Sequence, residues 1–146
     1  MNDEYRINEI LMVLFHPTVN RHHDFFSHYS LSPADCDHIL ETVGMFEMEM
    51  GYMLDGIKGH LKTNTEDVKG TKRNPQKILG RVDKLRDELE ETLGWFERLT
   101  NFVDGEKKKD GYYTTVRISS YNSQVAHLMN IFYDIQTLET NTLFNL

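Results

Sequence analysis

Histidine and aspartate residues are concentrated near the N-terminus, where their side chains could ligate a transition metal. Imidazole and carboxylate groups are ligands that zinc and iron accept in proteins. The segment contains no His-x-x-x-His or His-Glu-x-x-His motif, and only Asp35-x-x-His38 approaches the Glu-x-x-His pair of di-iron bundles. A metal-binding bundle or an enzyme that uses the connector 16–38 is therefore an alternative interpretation, and we expect no specifically bound metal. The cluster comprises five of the seven histidines and three aspartates: His16, His22, His23, His28, His38, Asp24, Asp35 and Asp37.

The other residues with catalytic chemistry match no known signature. Helical bundles that hydrolyse nucleotides with magnesium use a Glu-Glu-x-x-Glu motif. Glu90 and Glu91 match its first two positions, but Gly94 occupies the position of the third glutamate. Cys36 lies between two aspartates, which disfavour a thiolate, so we interpret it as a small core residue. The chain contains neither a Gly-x-Ser-x-Gly elbow nor a phosphate-binding glycine loop. We therefore expect no catalytic residue and no cofactor, and we expect that the protein is not an enzyme.

Prolines predict where two long helices begin. Pro33 follows Ser32, and Pro75 follows Asn74. A serine or asparagine side chain can cap a free backbone N–H group at a helix N-terminus, and proline fits the first helical position. Helices should therefore begin near residues 33 and 75.

Apolar residues at alternating spacings of three and four predict three long helices. A shorter helix is expected over residues 3–15, which are apolar on nearly every side toward the end of that segment. We predict an all-α fold, an antiparallel helical bundle of one moderate and three long helices, in a single domain spanning residues 1–146. The three apolar seams are Ile39, Val43, Phe46, Met50, Met53 and Ile57; Ile78, Val82, Leu85, Leu89, Phe96, Leu99 and Val103; and Ile118, Tyr121, Val125, Leu128, Phe132 and Ile135.

Residues 112–118 do not follow the helical pattern. They are aromatic and β-branched, which is typical of a strand. Because a lone strand would have no visible partner, we favour a helix here, with a short strand as the alternative.

Charge limits the classes of partner. The net charge of −7 argues against direct nucleic-acid binding, which depends on Lys and Arg side chains that neutralise phosphates. No apolar run approaches the ~18 residues that span a bilayer, and the acidic N-terminus lacks a targeting signal, so we expect no membrane partner and a cytoplasmic protein. Residues 1–57 contain ten acidic and two basic residues, whereas residues 58–146 contain thirteen acidic and fourteen basic residues. An acidic half can attract a basic surface, so a further alternative is an acidic mimic that blocks a nucleic-acid-binding site on a target protein.

The helix expected from residue 33 carries a second apolar stripe, away from its seam. Met45, Met48 and Tyr52 are three and four residues apart, and Gly44 and Gly51 border them. Methionines supply an adaptable apolar surface for a partner, although the first helix and the connector could instead cover this stripe. We expect a non-catalytic protein–protein interaction module, a regulator, adaptor or inhibitor that binds either a second copy or a target with a basic surface. The expected partner-binding residues are Gly44, Met45, Met48, Gly51 and Tyr52, with an acidic rim of Glu41, Glu47, Glu49 and Asp55.

Overall fold

The computed structural model describes residues 3–15, 20–22, 25–63, 75–101 and 114–143. These residues form four helices, of which one is moderate in length and three are long, and the long helices pack against one another. The predicted all-α helical bundle is therefore confirmed. In chain order the elements are α1 (Asp3–Phe15), β1 (Asn20–His22), β2 (Phe25–Leu31), α2 (Pro33–Thr63), α3 (Pro75–Asn101), β3 (Thr114–Arg117) and α4 (Ile118–Leu143).

Helices α2 and α3 begin at the two predicted prolines. At the start of α2, the backbone N–H of Asp35 donates a hydrogen bond to Ser32 Oγ over 3.1 Å. The backbone N–H of Ser32 in turn donates to Asp35 Oδ2 over 3.0 Å. This reciprocal pair is a capping box, which satisfies donors that a helix N-terminus otherwise leaves open.

The predicted seams face a common core. All six seam residues of α2 are buried, as are the central seam residues of α3 and all those of α4 from Tyr121 onward. Ile78 and Leu99 at the ends of the α3 seam are half-buried, and Val103 lies outside the described residues. Helix α1 completes the core with four buried side chains, namely Ile7, Ile10, Leu11 and Leu14.

The expected helix over residues 112–118 is wrong for Thr114–Arg117, which form β3. The described strands make one sheet in the order β1-β2-β3, and both pairings are antiparallel. Strand β2 pairs Tyr29 with Val116 and Leu31 with Thr114. The partner that seemed to be missing therefore lies in the histidine-rich connector, about 85 positions earlier, and no local pattern connects the two segments.

Tyr121 connects the sheet to the bundle through edge-to-face ring contacts. Its ring centroid lies 5.5 Å from that of Tyr29 on β2 and 5.7 Å from that of Phe96 on α3. The Tyr121 hydroxyl is buried and has no hydrogen-bond partner within the described part of the chain. Burial, with a smaller contribution from Tyr29, raises the pKa of Tyr121 above its usual value of 10.0.

Candidate functional site

The predicted contact stripe lies on the side of α2 that faces away from the core. We call Gly44, Met45, Met48, Gly51 and Tyr52 the outer surface of α2. Met48 is 48% exposed and Tyr52 is 64% exposed, whereas Phe46 and Met50 beside them in sequence are fully buried. Neighbours two apart on a helix point in directions roughly 200° apart, so one helix can be apolar on two opposite sides.

Helix α1 does not cover this surface. It packs against α2, and Met45 is half-buried at the edge of the core. Met48 and Tyr52 nevertheless remain exposed, so neither α1 nor the described part of the connector covers these two side chains. The other large exposed apolar side chains in the described ranges are Met12 on α1 and Tyr133 on α4, each on a different helix.

Gly44 and Gly51 have no packing role within the described chain. A Cβ atom built at either position would meet no neighbouring atom within 4 Å. A glycine inside a helix costs ~1 kcal/mol relative to alanine. These two glycines therefore lower the profile of the outer surface of α2, and no contact among the described residues requires the absence of a side chain there.

The acidic rim differs in part from the expectation. Glu41 and Glu47 are exposed, as expected, but Glu49 is half-buried. Asp55 forms an ion pair with Arg86 on α3, with 2.9 Å between Oδ1 and Nη2. A cation from the neighbouring helix therefore lies beside Asp55, and the role of Asp55 in an acidic rim stays a prediction.

An open cavity of about 520 Å³ between α2 and α3 adjoins the outer surface and was missed by the sequence patterns. Its lining combines three glutamates with apolar side chains. Gly44 and Glu47 belong to both this cavity and the candidate surface. Glu90 and Glu97 are two helical turns apart with Leu93 between them, and this spacing was a usable signal in the sequence. The residues that line this cavity are Leu40, Val43, Gly44, Glu47, Glu90, Leu93 and Glu97.

A second open cavity, of about 430 Å³, lies where the end of α2 approaches the start of α3. Lys58 and Lys62 supply its charge, and Leu61 and Leu79 supply apolar surface. The ion pair between Asp55 and Arg86 joins α2 to α3 between the two cavities.

The histidine cluster is divided among different elements. His22 lies on β1, His28 pairs with Arg117 in the sheet, and His38 is exposed on α2. His16, His23 and Asp24 lie outside the described residues, and Asp35 is engaged in the capping box. Among the residues that the structure describes, no three His, Cys, Asp or Glu side chains are placed to hold a metal ion.

Comparisons with models of protein families, with curated proteins and with solved structures found no match. In the described ranges, no helix is long and apolar enough to cross a membrane. Inference about function therefore depends on the exposed surfaces of the chain itself.

Proposed function

We propose that this chain is a non-catalytic helical interaction module that binds another protein chain through the outer surface of α2. The observation that carries this proposal is the exposure of Met48 and Tyr52, one turn apart on a helix whose inner face already fills the core. As a regulator, adaptor or inhibitor, such a module acts by occupying a surface of its partner.

The physical reason is the free energy of apolar surface in water. Burial of apolar surface stabilises a complex by roughly 25 cal/mol per Å², before the costs of association. Tyrosine and methionine are enriched in protein interfaces, because tyrosine adds a large rigid ring and methionine adapts to irregular surfaces. Met48 and Tyr52 supply one of each on adjacent turns.

The charge beside these residues favours a partner that carries Lys or Arg. Glu41 and Glu47 are exposed, and neither has an ion-pair partner within the described ranges. Charges at the rim of an interface mainly accelerate association and select partners, and salt screens them. The complex should therefore weaken as salt rises, although its apolar centre should keep part of the affinity.

The test is a comparison of Met48→Glu with Met12→Glu. Both substitutions place a charge at an exposed methionine, but Met12 lies on α1 and Met48 lies on α2. Each variant is tested by light scattering for self-association, and by capture of partners from a lysate of the cells that make the protein. Circular dichroism and thermal melting show whether each variant folds.

We expect Met48→Glu to lose association while its melting temperature stays close to that of the unmodified protein. Met12→Glu should keep both properties. Unfolding of Met48→Glu would place Met48 in the core. Equal association by the unmodified protein and both variants would show that the outer surface of α2 binds no partner. Either result would contradict the proposed function.

A further inference from the structure

A cavity between α3 and β3 combines an aromatic side chain with a single charge. It is open to solvent, has a volume of about 260 Å³, and is lined by Trp95, Arg98, Leu99, Thr114 and Thr115. Arg98 is the one charged residue in this lining, so the cavity is cationic although the chain has a net charge of −7. None of these residues belongs to the outer surface of α2, so the cavity is separate from the surface to which we assign the proposed function.

Other contacts hold the two walls of this cavity in place. Strand β3 is paired with β2 along its whole length. On α3, the ring centroid of Trp95 lies 5.0 Å from that of Phe96 and 6.4 Å from that of Tyr121. Trp95 and Leu99 are four residues apart, so they lie on the same side of α3, and both are half-buried. Walls that are ordered before binding reduce the entropy that a ligand must overcome.

The position of the Arg98 side chain depends on Gly94, one turn earlier on α3. A Cβ atom built at Gly94 would come within 3.2 Å of Arg98 Nη1, which is tighter than ordinary van der Waals contact. Of the glycines in the described ranges, Gly94 is the one whose Cβ position lies within 4 Å of another side chain. Arg98 is exposed and forms no ion pair within the described part of the chain. Its guanidinium group therefore has N–H donors that a ligand can use.

We propose that this cavity binds a small carboxylic acid that carries a flat apolar ring. The planar guanidinium group of Arg98 presents paired N–H donors that match the two oxygens of a carboxylate. The ring of the ligand packs against Trp95 and Leu99, where contact between aromatic faces adds to the burial of apolar surface. Thr114 and Thr115 each carry a hydroxyl that can donate a further hydrogen bond to the carboxylate.

The volume of the cavity suits a ligand with one ring. A cavity of about 150 Å³ can hold benzene in a protein interior. At about 260 Å³, the cavity beside Trp95 also has room for a carboxylate and a short link to the ring. An inorganic anion such as sulfate could contact Arg98, but it would leave the apolar surface of Trp95 and Leu99 uncovered. The lining therefore favours an organic acid over an inorganic anion.

The test uses phenylacetate, with phenylacetamide as an uncharged control of nearly the same shape. Trp95 is the single tryptophan of the chain, so its fluorescence reports binding at this cavity. Each compound is titrated into the full chain at pH 7, and ligand-observed NMR measures the same binding without relying on fluorescence.

Two variants are compared with the unmodified protein. Arg98→Gln removes the guanidinium group from the cavity. Arg81→Gln is the matched control, because Arg81 is exposed on the same helix but does not line the cavity. Circular dichroism shows whether each variant folds.

We expect phenylacetate to bind the unmodified protein with a dissociation constant of ~1 mM, which is typical for so small a ligand. Phenylacetamide should bind at least about tenfold more weakly, because it cannot form charge-assisted hydrogen bonds with Arg98. Arg98→Gln should weaken the binding of phenylacetate by a similar factor and should no longer distinguish the two compounds. Arg81→Gln should bind both compounds as the unmodified protein does.

No binding of phenylacetate up to about 10 mM would overturn this inference. Equal affinity of the unmodified protein for phenylacetate and phenylacetamide would also overturn it, and this comparison does not depend on any variant. So would unchanged binding of phenylacetate by Arg98→Gln, or tighter binding of sulfate than of phenylacetate. Met48→Glu should bind phenylacetate normally, so the failure of this inference and the failure of the proposed function are distinguishable.

Discussion

The inner and outer faces of α2 are both apolar, yet they are used differently. Phe46 and Met50 on the inner face are fully buried among the other helices, whereas Met48 and Tyr52 on the outer face are largely exposed. What separates the two faces is coverage by other helices, because α1, α3 and α4 pack on one side of α2 and leave the other open. An apolar stripe therefore predicts that a surface makes a contact, but it does not predict whether the contact lies within one chain.

The largest predicted difference between the faces concerns folding stability. Phe46→Ala should lower the free energy of unfolding by ~3–5 kcal/mol, because it removes a fully buried ring and leaves a cavity. Met48→Ala should change that free energy by less than ~0.5 kcal/mol in the single chain, because Met48 is half exposed. Urea unfolding at low protein concentration measures both values. Similar losses in the two variants would mean that the outer face is part of the core.

Buried Tyr121 and exposed Tyr52 extend the comparison to the hydroxyl group of a single side chain. Tyr121→Phe should raise the free energy of unfolding by ~1 kcal/mol at pH 7, because it removes a buried hydroxyl that has no hydrogen-bond partner in the described ranges. Tyr52→Phe, on the exposed face, should have almost no effect. A loss of stability in Tyr121→Phe would show that the hydroxyl makes a stabilising contact.

At alkaline pH, the free energy of unfolding should fall more steeply in the unmodified protein than in Tyr121→Phe. The folded state raises the pKa of Tyr121, so above pH 10 the unfolded chain releases a proton that the folded chain retains. Stability should therefore fall with rising pH, by up to ~1.4 kcal/mol per pH unit from this residue. Urea unfolding between pH 9 and pH 11 should show a smaller loss in Tyr121→Phe than in the unmodified protein.

Replacement of a glycine on α2 by alanine should have a smaller effect, which stabilises the folded chain but weakens its association with a partner. Gly51→Ala should stabilise the single chain by ~1 kcal/mol, because alanine favours a helix and its methyl group would meet no atom within 4 Å. The same methyl group raises the profile of the outer surface of α2, so association should weaken. Gly80 on α3 also has open space around its Cβ position. Gly80→Ala should therefore stabilise the single chain by a similar amount without weakening its association. Thermal melting and light scattering measure the two effects, and unchanged association in Gly51→Ala would mean that close approach is not needed there.

Local sequence patterns predicted the helices of this fold, but they could not predict contacts between residues that are far apart in the chain. The seam from Ile39 to Ile57 and the capping pair of Ser32 and Asp35 each depend on residues a few positions apart, so their spacing carries the information. Strand β3 was assigned to a helix, although residues 112–118 have the composition of a strand, because its partner β2 lies in the connector and no local pattern reveals that pairing. The second apolar stripe on α2 was recognised from the same helical spacing, and its role as a contact surface stays a prediction.

The candidate site was predicted less completely than the fold. The exposure of Met48 and Tyr52 follows from the helical period, but the charges beside them depend on which residues of α3 pack there. Arg86 is 31 positions from Asp55, and the packing of α3 on α2 places Glu90 and Glu97 in the same cavity as Glu47. Helical spacing within α2 contains no information about these neighbours, which is why the ion pair of Asp55 and this cavity were found only in the structure.

Oxidative footprinting of two methionines tests the central claim most directly. Met12 and Met48 are both exposed in the single chain, and a mild oxidant converts exposed methionine to its sulfoxide. Mass spectrometry then compares their oxidation rates in dilute protein and in the complex. If the outer surface of α2 binds another chain, Met48 becomes protected in the complex while Met12 continues to react at its original rate. Equal oxidation of Met48 in the dilute protein and in the complex would contradict the account.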